Sequence, residues 1–209
     1  TSGAHFNPAI TFTHILDKTF PTAKGLIYIG CQLVGSMLAG LMVLALQPPK
    51  KLEQDLGWLG QPTIQNFPGT QVPIIGIFAL CIAELTCSVV LIFIWNVAMH
   101  DKRIPSGTNG FIIGAFYGSV ALALGRITGG SMNPARVFGP GLLAGDWIHI
   151  FFYLAMPLLG GIGGLYWFKG MVRDESKTAF DNNNYNLEVV NPVDISVSQM
   201  SNEMSRLTE

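Results

Sequence analysis

The sequence predicts an all-α integral membrane protein, and three observations lead to this fold class. Only 12% of the 209 residues are charged while 49% are hydrophobic, and the mean hydropathy is +0.41. A soluble domain carries about 25% charged residues, so this chain has about half of the groups that keep a globular surface in water. In addition, four apolar stretches are long enough to cross a bilayer, and a short apolar segment containing Asn-Pro-Ala occurs twice.

The four predicted membrane spans follow from the lengths of the apolar stretches. A hydrocarbon core about 30 Å thick needs about 20 residues of helix. The predicted spans are residues 25–46, 73–99, 108–125 and 147–168. The first ends before Pro48 and Pro49, because paired prolines cannot continue a helix. Composition becomes polar after residue 170, so we expect a membrane domain over 1–170 and a mostly disordered tail over 171–209.

Basic residues near the ends of the spans predict the orientation in the membrane. If the chain crosses the membrane four times, six basic residues lie on the same side of it: Lys18, Lys24, Lys102, Arg103, Lys169 and Arg173. Lysine and arginine are enriched on the cytoplasmic side, so we expect this side and the C-terminal tail to be cytoplasmic. Lys50 and Lys51 lie on the opposite side and are a minor contrary signal.

Two further apolar segments, 1–17 and 129–144, are too short and too rich in Gly and Pro to span a bilayer. At an offset of 126 residues they repeat the same Gly, Asn, Pro, Ala and Phe positions. A short interrupted segment in each half of a membrane protein predicts a site at the bilayer midplane, between inverted repeats. The repeated boxes are Asn7-Pro8-Ala9 and Asn133-Pro134-Ala135.

Each box is a strong start signal for a helix. Asn caps free backbone N–H groups, and Pro at the first helical position needs no donor. We therefore expect short helices over 7–16 and 133–143 whose N-termini meet near the membrane centre. Each N-terminus carries about +0.5 elementary charge, which opposes cations, and each Asn amide offers N–H donors to a passing oxygen.

These motifs resemble those of the major intrinsic protein family, the aquaporins. Besides the two boxes, residues 128–136 resemble the second pore loop of the family, 32–35 its third span and 153–161 its last span. The resemblance covers about residues 1–170 and implies an aquaporin-like right-handed helical bundle with two re-entrant half-helices. The family has six spans, so four of six are present, and we expect the first two to precede Thr1.

The resemblance also implies which residues select the permeant. Arg136 matches the filter arginine, which in aquaporin-type pores donates to the permeant and opposes cations. Ala121 and Gly130 match two further filter positions, and the fourth belongs to the segment expected upstream. The small size of these two residues predicts a wide constriction, whereas Val137 and Tyr153 resemble water-type members. Solute selectivity therefore stays open at this point.

Two ionisable residues within the apolar segments need an explanation. Glu84 lies in the middle of the second span, where a carboxylate is costly unless it accepts hydrogen bonds or faces water. By resemblance it braces backbone N–H groups of a pore loop, with a proton relay as the alternative. His5 resembles the loop histidine at the cytoplasmic side of the pore. For His5 we favour lining and packing over a pH gate.

The predicted function is a passive channel in a lipid membrane that conducts water and excludes protons and ions, with small neutral solutes left open as further permeants. The resemblance implies a homotetramer. One alternative is an ion-coupled secondary transporter, which would need more acidic residues in the spans than Glu84. Another is a non-conducting structural protein of the same fold. The sequence contains no nucleophile–base pair, metal spacing or basic face, so we expect no enzyme activity, cofactor, metal or nucleic-acid partner.

Overall fold

The structure is a computed structural model that describes residues 3–46, 73–101, 103–105, 107–125, 127–145 and 147–187, with side chains described as far as residue 171 except at 73–75 and 148. All regular secondary structure in these ranges is α-helical. The six helices are α1 (Pro8–Leu16), α2 (Thr22–Leu46), α3 (Pro73–His100), α4 (Asn109–Leu124), α5 (Pro134–Ala144) and α6 (Trp147–Leu187). Residues 47–72, which separate the first two predicted spans, lie outside the described residues.

Three of the helices are long and apolar enough to cross a membrane. Their apolar segments are Thr22–Leu46, Gly76–His100 and His149–Met171. Helix α4 has 16 residues and begins and ends within one residue of the fourth predicted span, 108–125. At 1.5 Å per residue it measures about 24 Å, less than the hydrocarbon thickness of about 30 Å. The backbone leaves the helix after Leu124, whose carbonyl accepts hydrogen bonds from the N–H groups of residues 127, 128 and 129.

The chain divides into two units, Thr1–Phe168 and Lys169–Glu209. In the second unit the structure describes residues 169–187, whose backbone is helical. The rest of the expected tail lies outside the described residues. The disordered character and the cytoplasmic location of residues 171–209 therefore stay predictions.

The two short helices α1 and α5 start within one residue of the predicted starts at 7 and 133. Each has Asn at its N-cap in extended conformation and Pro in the first turn. Helix α1 ends at Leu16, and α5 ends before Gly145, which adopts a left-handed φ of 74°. Both lengths, 9 and 11 residues, are too short to cross a bilayer.

Helix α3 is the central packing element of the described fold. Three buried clusters join it to a half-helix or to the loop before α5. They consist of Ile10, Ile92, Trp95 and Leu165; Leu80, Val137, Ile150 and Tyr153; and Leu91, Val120 and Met132. The half-helices are thus held by apolar contacts on the same helix that carries Glu84.

Glycines permit the closest helix crossings. On α6, a Cβ at Gly160 would lie 2.5 Å from the backbone oxygen of Leu85, so α6 and α3 touch backbone to backbone. On α5, a Cβ at Gly139 would overlap the backbone of Ser36 in α2. The Ser36 hydroxyl accepts from Gly139 N at 2.8 Å and donates to the carbonyl of Ala135. Small residues of this kind are typical of helix interfaces in membranes.

We expect Gly139→Ala to destabilise the protein by about 1–3 kcal/mol, the usual cost of overpacking a filled site. The added methyl group would meet the α2 backbone, which cannot rotate away as a side chain can. Thermal unfolding in detergent measures the change. Gly30→Ala is the matched control on α2, because a Cβ there meets nothing within 4 Å. Equal unfolding temperatures for both variants would show that α2 and α5 are not in close contact.

Candidate functional site

The two Asn-Pro-Ala boxes meet in the structure through a reciprocal pair of hydrogen bonds. Asn7 Nδ2 donates to the carbonyl of Met132 at 2.9 Å, and Asn133 Nδ2 donates to the carbonyl of Phe6 at 2.9 Å. Phe6 and Met132 each precede the Asn of their own box. The N-termini of α1 and α5 therefore lie against each other. Equivalent positions of the two sequence repeats make equivalent hydrogen bonds across this contact.

The orientation of both amide groups is fixed by helix capping. The backbone N–H of Ala9 donates to Asn7 Oδ1 at 2.9 Å, and that of Ala135 donates to Asn133 Oδ1 at 3.0 Å. An N–H group can donate only to the amide oxygen, so the amide nitrogen must point away from the helix. The NH₂ groups of Asn7 and Asn133 thus face the junction of the two repeats.

The backbone before each box follows the same repeat. Paired positions have nearly equal left-handed φ angles: Gly3 80° and Gly129 79°, Ala4 48° and Gly130 52°, Phe6 45° and Met132 49°. Residues other than glycine rarely adopt these angles, and they keep them only where the surroundings hold them. The carbonyls of Phe6 and Met132 accept the reciprocal Asn bonds, which contribute to holding this conformation.

Glu84 holds the loop before α5 from the side of α3. The side chain is fully buried. Its Oε1 accepts from Ser131 N at 2.9 Å and from the Thr128 hydroxyl at 3.1 Å, and its Oε2 accepts from Met132 N at 2.7 Å. These three bonds satisfy the buried carboxylate, which would otherwise carry a large desolvation penalty.

The sequence pattern indicates no role for Thr128 or Ser36, and it marks Tyr153 only as a residue typical of water-type members. In the structure the Thr128 hydroxyl also accepts from Gly130 N at 3.3 Å, and the Tyr153 hydroxyl donates to the carbonyl of Thr128. Ser36 links α2 to α5, as described above. A polar residue in an otherwise apolar stretch indicates that its side chain forms a hydrogen bond. It does not show which residue is the hydrogen-bond partner.

Arg136 lies in the first turn of α5, with its guanidinium against the preceding loop. Its Nη1 donates to the carbonyls of Gly129 at 3.1 Å and Gly130 at 3.2 Å. The side chain is otherwise exposed. A guanidinium has five N–H donors. The two bonds from Nη1 therefore leave Nε and Nη2 free of any described protein acceptor.

The two predicted filter positions beside Arg136 differ in their surroundings. Gly130 is buried, and a Cβ there would lie 2.8 Å from Cγ1 of Val120. Ala121 follows Val120 on α4 and is exposed. The structure thus joins Gly130 directly to Arg136 through a hydrogen bond, whereas a Cβ at Gly130 would meet atoms of Val120.

His5 is buried in a cluster of aromatic and imidazole rings that the sequence pattern does not predict. Its Nδ1 lies 3.2 Å from the Thr11 hydroxyl, and its ring stacks on His14 at 4.9 Å. The Trp95 indole donates to His14 Nε2 at 3.0 Å, so Nε2 is an acceptor and His14 is the neutral Nδ1–H tautomer. The ring of His100 is 6.4 Å from that of His14. These contacts favour the packing interpretation of His5.

A cavity of about 410 Å³ leads to the junction of the two boxes. Its wall includes Met99 and Asn109 near the connection between α3 and α4, and Tyr117 and Asn133 at the junction. His5 also lines it. The cavity therefore connects His5, one face of α4 and Asn133 along one continuous space. Among the described residues no group of three or more His, Cys, Asp or Glu side chains could hold a metal ion.

Comparisons with known proteins agree with this architecture. The family model described as "Major intrinsic protein" matches residues 1–167. The chain is 35% identical over 163 residues to the putative aquaporin NIP4-1 of Arabidopsis thaliana, covering 78% of this chain and 53% of that protein. It is 31% identical over 180 residues to the probable aquaporin AqpM of Archaeoglobus fulgidus, covering 83% and 69%.

The fold is similar to that of a solved channel protein. The aquaglyceroporin from Plasmodium falciparum superposes with a TM-score of 0.68 at 18% identity, covering 81% of this chain and 73% of that one. At this identity the likeness shows the fold alone. The chain spans about half the length of the plant relative it matches.

Proposed function

This chain belongs to the major intrinsic protein family, and we propose that it forms a passive channel for water, with small neutral solutes as a second class of permeant to be tested. Members of this family are channels and not enzymes, in agreement with the expectation from the sequence. The single observation that carries the proposal is the reciprocal Asn7–Asn133 arrangement at the end of an open cavity.

The chemistry of this junction suits a neutral, hydrogen-bonding molecule. Two helix N-termini that lie side by side bring together about +0.5 elementary charge each, which opposes any cation at the junction. Asn133 and Arg136 supply N–H donors there, and the loop backbone supplies carbonyl acceptors. We propose that Ala121 and Gly130 leave the space beside Arg136 and that His5 lines the cavity. The N–H donors and the carbonyl acceptors replace the hydrogen bonds that a water molecule gives up when it leaves bulk solvent.

The alternative of an ion-coupled transporter would need a carboxylate that is free to bind the coupling ion at the junction. Glu84 is the acidic residue there, and its two oxygens are already occupied by three donors from the loop before α5. A proton relay would need an oxygen accessible to water or to a second titratable group. We therefore assign Glu84 a supporting role.

The test is osmotic shrinkage of liposomes that contain the complete natural protein, followed by stopped-flow light scattering. We expect faster water efflux than in protein-free liposomes, with no increase in proton leak measured in the same preparation. Water efflux at the protein-free rate from folded protein would contradict the channel and favour a structural role. Solute uptake that depends on a proton or sodium gradient would favour the transporter. The homotetramer stays a prediction from the family resemblance.

A further inference from the structure

Tyr117 reaches from α4 to the Asn pair, and nothing in the sequence pattern assigned it a role. Its hydroxyl oxygen accepts a hydrogen bond from Asn7 Nδ2 at 3.1 Å. The other hydrogen of the same amide is donated to the carbonyl of Met132. An amide NH₂ group has two hydrogens. Both donors of Asn7 are therefore used within the protein, and neither is left for a permeating molecule.

Asn133 differs from Asn7 in this respect. Its amide nitrogen donates to the carbonyl of Phe6, and in the part of the chain that the structure describes this is its one acceptor. One N–H of Asn133 thus stays available on the side that lines the cavity. The two halves of the junction therefore have similar backbone conformations but differ in the N–H donors that are available to a permeating molecule.

The Tyr117 hydroxyl can act as the hydrogen-bond donor to a permeating molecule where the Asn7 amide cannot. A phenol oxygen that accepts from Asn7 keeps its own hydrogen for another acceptor. No acceptor for that hydrogen occurs among the described residues, and Tyr117 lines the same cavity as Asn133. A molecule at the junction therefore meets an O–H donor on the α4 side and an N–H donor on the α5 side.

The ring of Tyr117 also determines the space at this point. Asn109, Ile113 and Tyr117 follow one another at four-residue spacing and line the cavity along one face of α4. Gly110 and Gly114 lie beside them on the same wall. The wall is therefore lined by small or medium side chains near its outer end and by its largest one, Tyr117, at the junction.

We propose that Tyr117 is a specificity-determining residue of this pore: its ring sets the width beside the Asn pair, and its hydroxyl donates to the permeant in place of Asn7. The inference rests on the proposed channel function and resolves the solute question that the filter residues left open. With Tyr117 in place the pore admits water and rejects molecules of the size of glycerol.

The experiment compares water and glycerol permeability in liposomes containing the complete natural protein or its Tyr117 variants. For wild type we expect water efflux above the protein-free rate and glycerol uptake at the protein-free rate. For Tyr117→Leu, which removes the ring, we expect the ratio of glycerol to water permeability to rise about tenfold, in line with the cost of forcing a solute against a filled site. For Tyr117→Phe, which keeps the ring, we expect the ratio to stay within about twofold of wild type.

Phe111→Leu is the matched control, because Phe111 is an aromatic residue of α4 that is 78% exposed and does not line the cavity. We expect its ratio to equal that of wild type. Water permeability of each variant reports whether its pore is intact, and Tyr117→Val replaces Tyr117→Leu if the latter does not reconstitute. Failure of wild type to conduct water would refute the channel function itself. A water-conducting wild type that also passes glycerol, or a water-conducting Tyr117→Leu with the wild-type ratio, would refute the role of Tyr117 alone.

Discussion

Replacing Glu84 with Leu is expected to lower the free energy of unfolding by more than about 4 kcal/mol, since hydrogen bonds to a charged group contribute about 1.5–3 kcal/mol each and three are lost. The N–H groups of Ser131 and Met132 would remain buried without an acceptor. Met132 would then lose a contact that holds its left-handed φ of 49°. Because Met132 carries the carbonyl that binds Asn7, we expect water permeation to disappear as well.

Denaturant or thermal unfolding in detergent measures the loss of stability, and liposome shrinkage measures the loss of permeation. Thr128→Val removes one of the three bonds to Glu84 and should cost a fraction of the Glu84→Leu effect. Thr86→Leu is the matched control, because Thr86 is an exposed polar residue on the same helix. A Glu84→Leu protein as stable as Thr86→Leu would show that the loop keeps its conformation without the carboxylate.

The features of the fold that the sequence predicted best are those encoded locally. Asn followed by Pro specifies a helix start through capping and a fixed φ, and both short helices begin within one residue of the predicted positions. The lengths of the apolar stretches predicted α2, α3 and α6, because a helix needs about 20 residues to cross a bilayer. Helix α4 also begins and ends within one residue of the predicted span at 108–125, because the apolar stretch ends at Gly125 and Arg126.

Contacts between distant residues were beyond the reach of the sequence. Tyr117 and Asn7 are 110 positions apart, and the rings of His5, His14 and His100 come together from the loop before α1, α1 itself and the end of α3. A soluble helix shows its buried face by the spacing of its apolar residues. A helix that faces lipid is apolar all round, so the sequence does not show which side chains point toward the junction.

Arg136→Val is expected to keep or raise the permeability to neutral molecules and to raise proton leak by about a hundredfold or more, because a unit charge about 4 Å from a cation costs it about 4 kcal/mol at an effective dielectric constant of 20. Val cannot donate to the carbonyls of Gly129 and Gly130, and it leaves the space beside them open. The helix N-termini at Asn7 and Asn133 would still oppose cations, so the barrier to protons should fall without vanishing. Osmotic shrinkage and proton leak are measured in the same liposomes.

Arg136→Lys is the matched variant, since it keeps the positive charge but not the planar guanidinium with its five donors in a fixed geometry. We expect its proton leak to stay near that of wild type even where water flux changes. The pair of variants thus separates charge from geometry: charge alone predicts a leak in Arg136→Val and none in Arg136→Lys. If water flux disappears in Arg136→Val while the protein stays folded and proton leak is unchanged, Arg136 acts by fixing the loop at Gly129 and Gly130, and the exclusion of cations rests on the two helix N-termini.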